Sequence, residues 1–254
     1  MFPKSICLSA AFVAAMVTSA GAATLQIDSF GRNDLAGAET ALQAFATAPV
    51  ANNKIKASRT EDFEGFSAWN GTNGASNPVT KVGTFTSAGG KGHAGDTING
   101  GTSLQVRNDN PLKSTRFDTG GGSNWLDSND TYGMNWEVGG LPKFNAVLFL
   151  LTDVSDQGAR FSINIGGSLF ESAIGNGTRL GDGAIYLVRI LLPETVSTLS
   201  IAMTNDKLND GFGIDQVMVA QIAPIPLPPA ALLLLSGVLG MAGLRRFGFR
   251  RRAA

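Results

Sequence analysis

From Ser58 to Gln221 the chain follows one habit: short apolar runs separated roughly every 10 to 15 residues by clusters of Gly, Asn, Asp and Ser. Connections that short cannot hold the crossover helices that parallel strands need, so the pattern predicts an all-β fold of two antiparallel sheets. Strands are expected at Lys81 to Thr86, Ser103 to Arg107, Tyr132 to Val138, Ala184 to Leu192, Ser197 to Thr204 and Gly213 to Gln221. Asn145 to Thr152 is apolar almost throughout, as a central strand would be. Phe161 to Ile165 and Ser168 to Ser172 flank Gly166-Gly167, a pair free to adopt the positive φ of a tight hairpin. The expected core draws on Phe63, Phe66, Phe144, Phe149, Phe161, Ile163, Ile185, Leu187, Leu199, Ile201, Ile214 and Val217.

This sandwich is expected over residues 58–222, after an N-terminal segment at 24–57. In that segment Thr24 to Phe30 alternates loosely, as an edge strand or a linker does. Asn33 and Asp34 can cap a short helix from Leu35 to Ala48, whose Leu35, Ala38, Leu42, Phe45 and Ala46 share one face. Pro49 to Lys56 reads as a loop.

The two ends of the chain carry addresses. Lys4, the apolar run Ile6 to Val17 and the small residues Thr18 to Ala23 form a signal peptide over 1–23, cleaved after Ala20-Gly21-Ala22 or Gly21-Ala22-Ala23. At the other end, Pro224, Pro226, Pro228 and Pro229 predict an extended strap over 223–229. A transmembrane helix is expected over 230–249, with Ser236 the only polar side chain between Ala230 and Leu244. A basic tail closes the chain at 250–254. Arg245, Arg246, Arg250, Arg251 and Arg252 assign that end to the cytoplasm, so the body faces outward. Hydropathy and charge alone fit a permanent anchor. The order of blocks resembles the PEP-CTERM sorting signals of Gram-negative bacteria in their VPLPA-CTERM variant, with Ile225, Pro226, Leu227, Pro228, Pro229 and Ala230 at the motif. One Ile replaces Val and one Pro is extra. The resemblance implies recognition and cleavage by an exosortase, passage through a membrane-anchored intermediate, and transfer to the cell surface or exopolysaccharide matrix. It carries an address and no activity.

Charge and cysteine content narrow the partners. The formal net charge is zero, but without Lys4 and the five tail arginines the remaining body carries a balance of about −6. Nucleic acid is excluded on sign, and divalent cations are favoured. Cys7 is the only cysteine and lies in the leader, so the mature body has no disulfide. The 32 glycines and 16% charged residues agree with a loop-rich secreted β domain.

Few residues announce chemistry. Asp62-Phe63-Glu64-Gly65-Phe66 and Ile214-Asp215-Gln216-Val217 resemble the first and last strands of jelly-roll, galactose-binding-like and carbohydrate-binding modules. That resemblance implies a jelly-roll-like sandwich and makes Glu64 and Asp215 candidate ligands of a structural calcium, an ion that takes six to eight oxygens. Asp127, Asn129 and Asp130 form a second possible cation loop without EF-hand spacing, and Asp206 and Asp210 a third. Trp69 and Trp136 read as core. Trp125, in the polar stretch SNWLDSND, is the aromatic expected to be exposed for contact with sugar. His93 is the only histidine, no Gly-x-Ser-x-Gly elbow exists, and no carboxylate pair is marked as facing, so an enzyme is not expected. The sequence therefore points to an exported, non-enzymatic surface or matrix protein with a structural or adhesive role. A carbohydrate-binding module for exopolysaccharide is the alternative, and a glycan-active enzyme ranks behind it.

Overall fold

The structure is a computed structural model that describes residues 23–47, 55–69, 73–90, 102–108, 116–154, 161–171, 183–205 and 211–223. Strand β8 (Phe144–Thr152) is buried at every position. An unbroken apolar run has no side to give to water, and β8 lies between two partners with an apolar cluster on each face.

Thirteen strands and one helix follow one another among the described residues. They are β1 (Thr24–Phe30), α1 (Leu35–Thr47), β2 (Ile55–Glu61), β3 (Val79–Thr80), β4 (Gly83–Ser87), β5 (Gln105–Arg107), β6 (Trp125–Asp127), β7 (Gly133–Val138), β8, β9 (Phe161–Ile165), β10 (Ser168–Glu171), β11 (Ile185–Val196), β12 (Leu199–Asn205) and β13 (Gly213–Ile222). They form two sheets with antiparallel neighbours. The seven-stranded sheet runs β1-β11-β8-β13-β6-β5, with β2 also on β13; the six-stranded sheet runs β10-β9-β12-β7-β4-β3.

Between the sheets lies a core that includes Phe63, Phe85, Trp136, Phe144, Phe149, Ile163, Ile201, Ile214 and Val217. Trp136 stacks on Phe85 at 4.9 Å between ring centroids and meets Phe149 edge-on at 6.0 Å, arrangements that suit the ring quadrupoles. Its indole N–H donates to the Val82 carbonyl at 3.1 Å, so the buried donor is satisfied. Phe66 and Leu199 are partly buried against this core, and the side chain of Phe161 lies outside the described residues.

Ile185 and Leu187 depart from the expected core. Alternation along β11 turns Tyr186, Val188 and Ile190 into the space between the sheets and Ile185 and Leu187 to the outer face. There, with Ala146, Leu148 and Leu150 of β8, they pack with Ala38 and Leu42 of α1. The helix thus covers the outer face of the sheet with Ala38 and Leu42, and with Leu35 and Phe45 partly buried beside them, as its sequence stripe predicts; the side chain of Ala46 lies outside the described residues. The Asp34 side chain accepts the Gly37 N–H at 3.2 Å, capping the first turn.

The hairpin at Gly166-Gly167 forms with φ of 56° and 89°, the left-handed geometry that matches strand twist. β1 is an edge strand on β11, from Thr24↔Leu191 to Phe30↔Ile185. Three strands were not expected. β2 occupies the end of the expected loop and runs on through IKASRTE, the two-residue β3 precedes the strand expected from Lys81, and β6 lies within the stretch read as a polar loop. No helix among the described residues is long and apolar enough to cross a membrane; the leader, strap and expected span lie outside them.

Candidate functional site

Strand β13 changes neighbours along one edge. Gly213 and Ile214 pair with Asp127 and Leu126 of β6, whereas Val217 to Ile222 pair with β2. Between these ladders lie Asp215 and Gln216. On the β8 side, Asp215 faces Leu150 and Met218 faces Leu148, so β13 carries one extra residue there. Gln216 takes φ 49°, which marks the bulge. The extra residue lets both Ile214 and Val217 face the inter-sheet core, which strict alternation would forbid.

Segment 116–124 covers this gap, held by two carboxylates. Asp215 is 1% exposed. Its Oδ2 accepts the Thr119 N–H at 2.8 Å and the Thr119 hydroxyl at 3.2 Å, and its Oδ1 accepts the Gln216 N–H at 2.7 Å. Burial pushes its pKa well above the ordinary value, against the Thr119 N–H, and a hydrogen bond with the Asp118 carboxyl pushes it the same way. No ion pair among the described residues joins either acid. Glu64 is exposed and holds the other end: its Oε1 accepts the N–H groups of Ser123 and Asn124, both at 2.6 Å, and its Oε2 the Ser123 hydroxyl at 3.3 Å. The Asn124 N–H, then that of Ser123, hold its pKa below the usual value. The Asn124 amide donates to the carbonyls of Phe63 and Phe66 at 3.1 and 3.0 Å, tying the segment back to the turn after β2. Glu64 and Asp215 thus hold opposite ends of one loop, with Asp118, unnoticed in the sequence, beside the buried member.

Next to this loop lies a second polar cluster. Arg116 is buried, with Nη1 3.1 Å from Asp127 Oδ1, Nη2 2.7 Å from Asp130 Oδ1 and Nε 3.4 Å from Asp153 Oδ2. Asp127 Oδ1 also accepts the Asn129 N–H at 2.5 Å, and Asp153 Oδ1 the Gly183 N–H at 3.1 Å. Burial alone would lower the pKa of the guanidinium, but Asp127, Asp130 and Asp153 outweigh it and hold the pKa above its ordinary value. Asp127 and Asp130, read in the sequence as a possible cation loop, pair with the Arg116 side chain. Neither Arg116 nor Asp153 stood out in the sequence, because nothing in the local pattern says that segments so far apart will meet.

Trp125 corrects an expectation. It lies in β6, 4% exposed, rather than in an open loop. Pairing of Arg107 with Trp125 and of Gly213 with Asp127 draws this stretch into the sheet, so the ring is covered. Trp136 is core and Trp69 is half-buried. His93, Asp206 and Asp210 lie outside the described residues. A recess of about 320 Å³ is lined by Glu61, Gly65, Phe66, Val79, Thr80 and Lys81. Its carboxylate is engaged: the Glu61 oxygens accept the N–H groups of Phe63 at 3.1 Å and Lys81 at 3.2 Å. Among the described residues no three His, Cys, Asp or Glu side chains are grouped as a metal site.

No protein-family model matches the chain, and no curated protein matches it. Among solved structures, an apo form cyclase from Fischerella sp. is similar at 13% identity over 71% of this chain and 93% of its own, with a TM-score of 0.29. A likeness at that level carries no argument about activity.

Two outcomes follow from the geometry. Arg116→Met leaves three carboxylates without their cation and is expected to lower stability by about 3–5 kcal/mol in urea denaturation; a loss within error would show that the cluster holds nothing. Asp215 has a folded pKa above its unfolded one, so its contribution is complete below the unfolded value and is lost as pH rises through the folded value. Asp215→Asn is therefore expected to flatten the fall in the urea midpoint as pH rises above the ordinary carboxylate range, and an unchanged slope would contradict the assignment.

Proposed function

We propose that this chain is an exported protein whose C-terminal sorting signal is read by an exosortase, and that its body is a non-enzymatic, jelly-roll-like sandwich with a structural or adhesive role at the cell surface or in the exopolysaccharide matrix. The observation that carries this reading is the order of blocks at the C-terminus: Ile225-Pro226-Leu227-Pro228-Pro229-Ala230, an apolar run, then Arg245 to Arg252. The signal peptide at the other end supports it. So does the engagement of the body's inward carboxylates: Glu61, Asp127, Asp153 and Asp215 each hold backbone N–H groups, and Asp127 and Asp153 also hold Arg116. Groups engaged in this way fix loops and are poorly placed for proton transfer to a substrate. The carbohydrate-binding alternative rested on the jelly-roll end motifs and on an exposed Trp125, and it loses the second support with the ring buried.

Calcium belongs to the same reading as a structural ion at Asp215 and Glu64. Asp118, hydrogen-bonded to Asp215, brings another carboxylate beside that end of the site. An ion bound only by the folded state raises its stability. The chain is expected to melt higher in calcium than in chelator, and equal melting would remove the ion from the account.

Intact mass of the protein recovered from its final location tests the sorting claim. The expected mass lacks both the leader and the five tail arginines. The full tail at that location would return residues 230–249 to a permanent anchor.

A further inference from the structure

The register of the seven-stranded sheet decides which ends of the body share a pole. Thr24 faces Leu191, Leu191 faces Ala146 and Ala146 faces Ala220. The start of β1 and the end of β13 therefore stand in one row, three strand spacings or about 14 Å apart. A second row, Phe30, Ile185, Thr152 and Gly213, crosses the same four strands at the other end. On the three unbulged strands six residue steps, such as Thr24 to Phe30, put about 20 Å between the rows, and Ile222 lies two residues beyond the first row, about 26 Å from the second. Beside the second row lie Asp127, which faces Gly213, Asp153, which follows Thr152, and Asp215, with the segment from Arg116 to Asn124 that they hold.

We propose that the pole carrying Thr24 and Ile222 is the membrane-facing surface of this protein, and that the pole built on Arg116 and Asp215 is the one presented away from lipid. The proposal rests on the reading of residues 230–249 as a membrane segment. Only residues 223–229 separate the end of β13 from that segment, and their four prolines predict a semi-rigid strap of about 20 Å. That reach is shorter than the distance from Ile222, where the strap begins, to the second row. The strap cannot run back along the body and let it stand on its other end, so the tether selects the orientation. The expected leader precedes Thr24 in sequence and so joins the body at the same pole. The body can then close its sheet, β1 on β11 included, while both expected apolar segments are still in one bilayer. Neither end has to be threaded past the fold.

The only native cysteine, Cys7, is in the leader, so single labels are readily introduced. Glu194 is exposed in β11 beyond Leu191, on the side of the first row, and Ser29 is exposed in β1 beside the second. The full chain carrying Cys7→Ser with either Glu194→Cys or Ser29→Cys would be labelled with a fluorescent donor and reconstituted into phosphatidylethanolamine–phosphatidylglycerol vesicles that contain a headgroup-labelled acceptor lipid. The chain is expected to float with the vesicles. Energy transfer from position 194 is expected to exceed that from position 29 roughly twofold or more, given the ~20 Å difference in height. Flotation with equal or reversed transfer would overturn the assignment of poles and leave the membrane segment standing. A chain that stays behind when the vesicles float would overturn the membrane segment and the pole assignment with it.

Discussion

The interruption in β13 is the constraint on which the rest of the structure depends. This strand is paired with β8 on one edge and with two different strands on the other, and it changes from β6 to β2 across Asp215 and Gln216. A change of partner leaves a gap in the ladder, and backbone groups in such a gap need other partners. The extra residue at Gln216 keeps both halves of β13 in phase with the core, and Asp215 supplies acceptors where a strand would have supplied carbonyls. The acid is costly to bury without a cation, and its raised pKa is the sign of that cost.

The polar clusters around this gap act as one clamp. Glu64 and Asp215 hold opposite ends of the segment that covers the gap, while Arg116, at its start, reaches the end of β6, the following turn and the end of β8. A single planar guanidinium can serve three carboxylates because its donors point outward in a fixed fork. A body without disulfides can thus fix long polar connections with charge where it has little apolar area to do so. The clamp sits at the pole opposite Thr24 and Ile222.

Much of the fold was legible in the sequence, and the failures have a common cause. β8, the Gly166-Gly167 hairpin and α1 each carry a local signal: an unbroken apolar run, a turn that needs positive φ, a helical stripe under a cap. β2 reads IKASRTE, and four of its seven residues are exposed, so its membership in the sheet comes from the edge of β13 it covers. β6 is only Trp125–Asp127 among turn formers, and long-range pairing with β5 and β13 makes it a strand. For the same reason Trp125 is buried, although its neighbours in sequence are those of a loop. In the candidate site, Glu64 and Asp215 were singled out by a resemblance of their stretches to the first and last strands of jelly-roll modules. Arg116, Asp118 and Asp153 were not, since their significance depends on contacts with residues 11 to 97 positions away.

Backbone hydrogen exchange in segment 116–124 tests the clamp most directly. Residues 120–123 are exposed, and a glycine-rich loop left to itself would exchange rapidly throughout. If Asp215 and Glu64 hold it as described, the amides of Thr119, Ser123 and Asn124 exchange slowly while Gly121 and Gly122 between them exchange fast. Uniformly fast exchange across the segment would contradict the account.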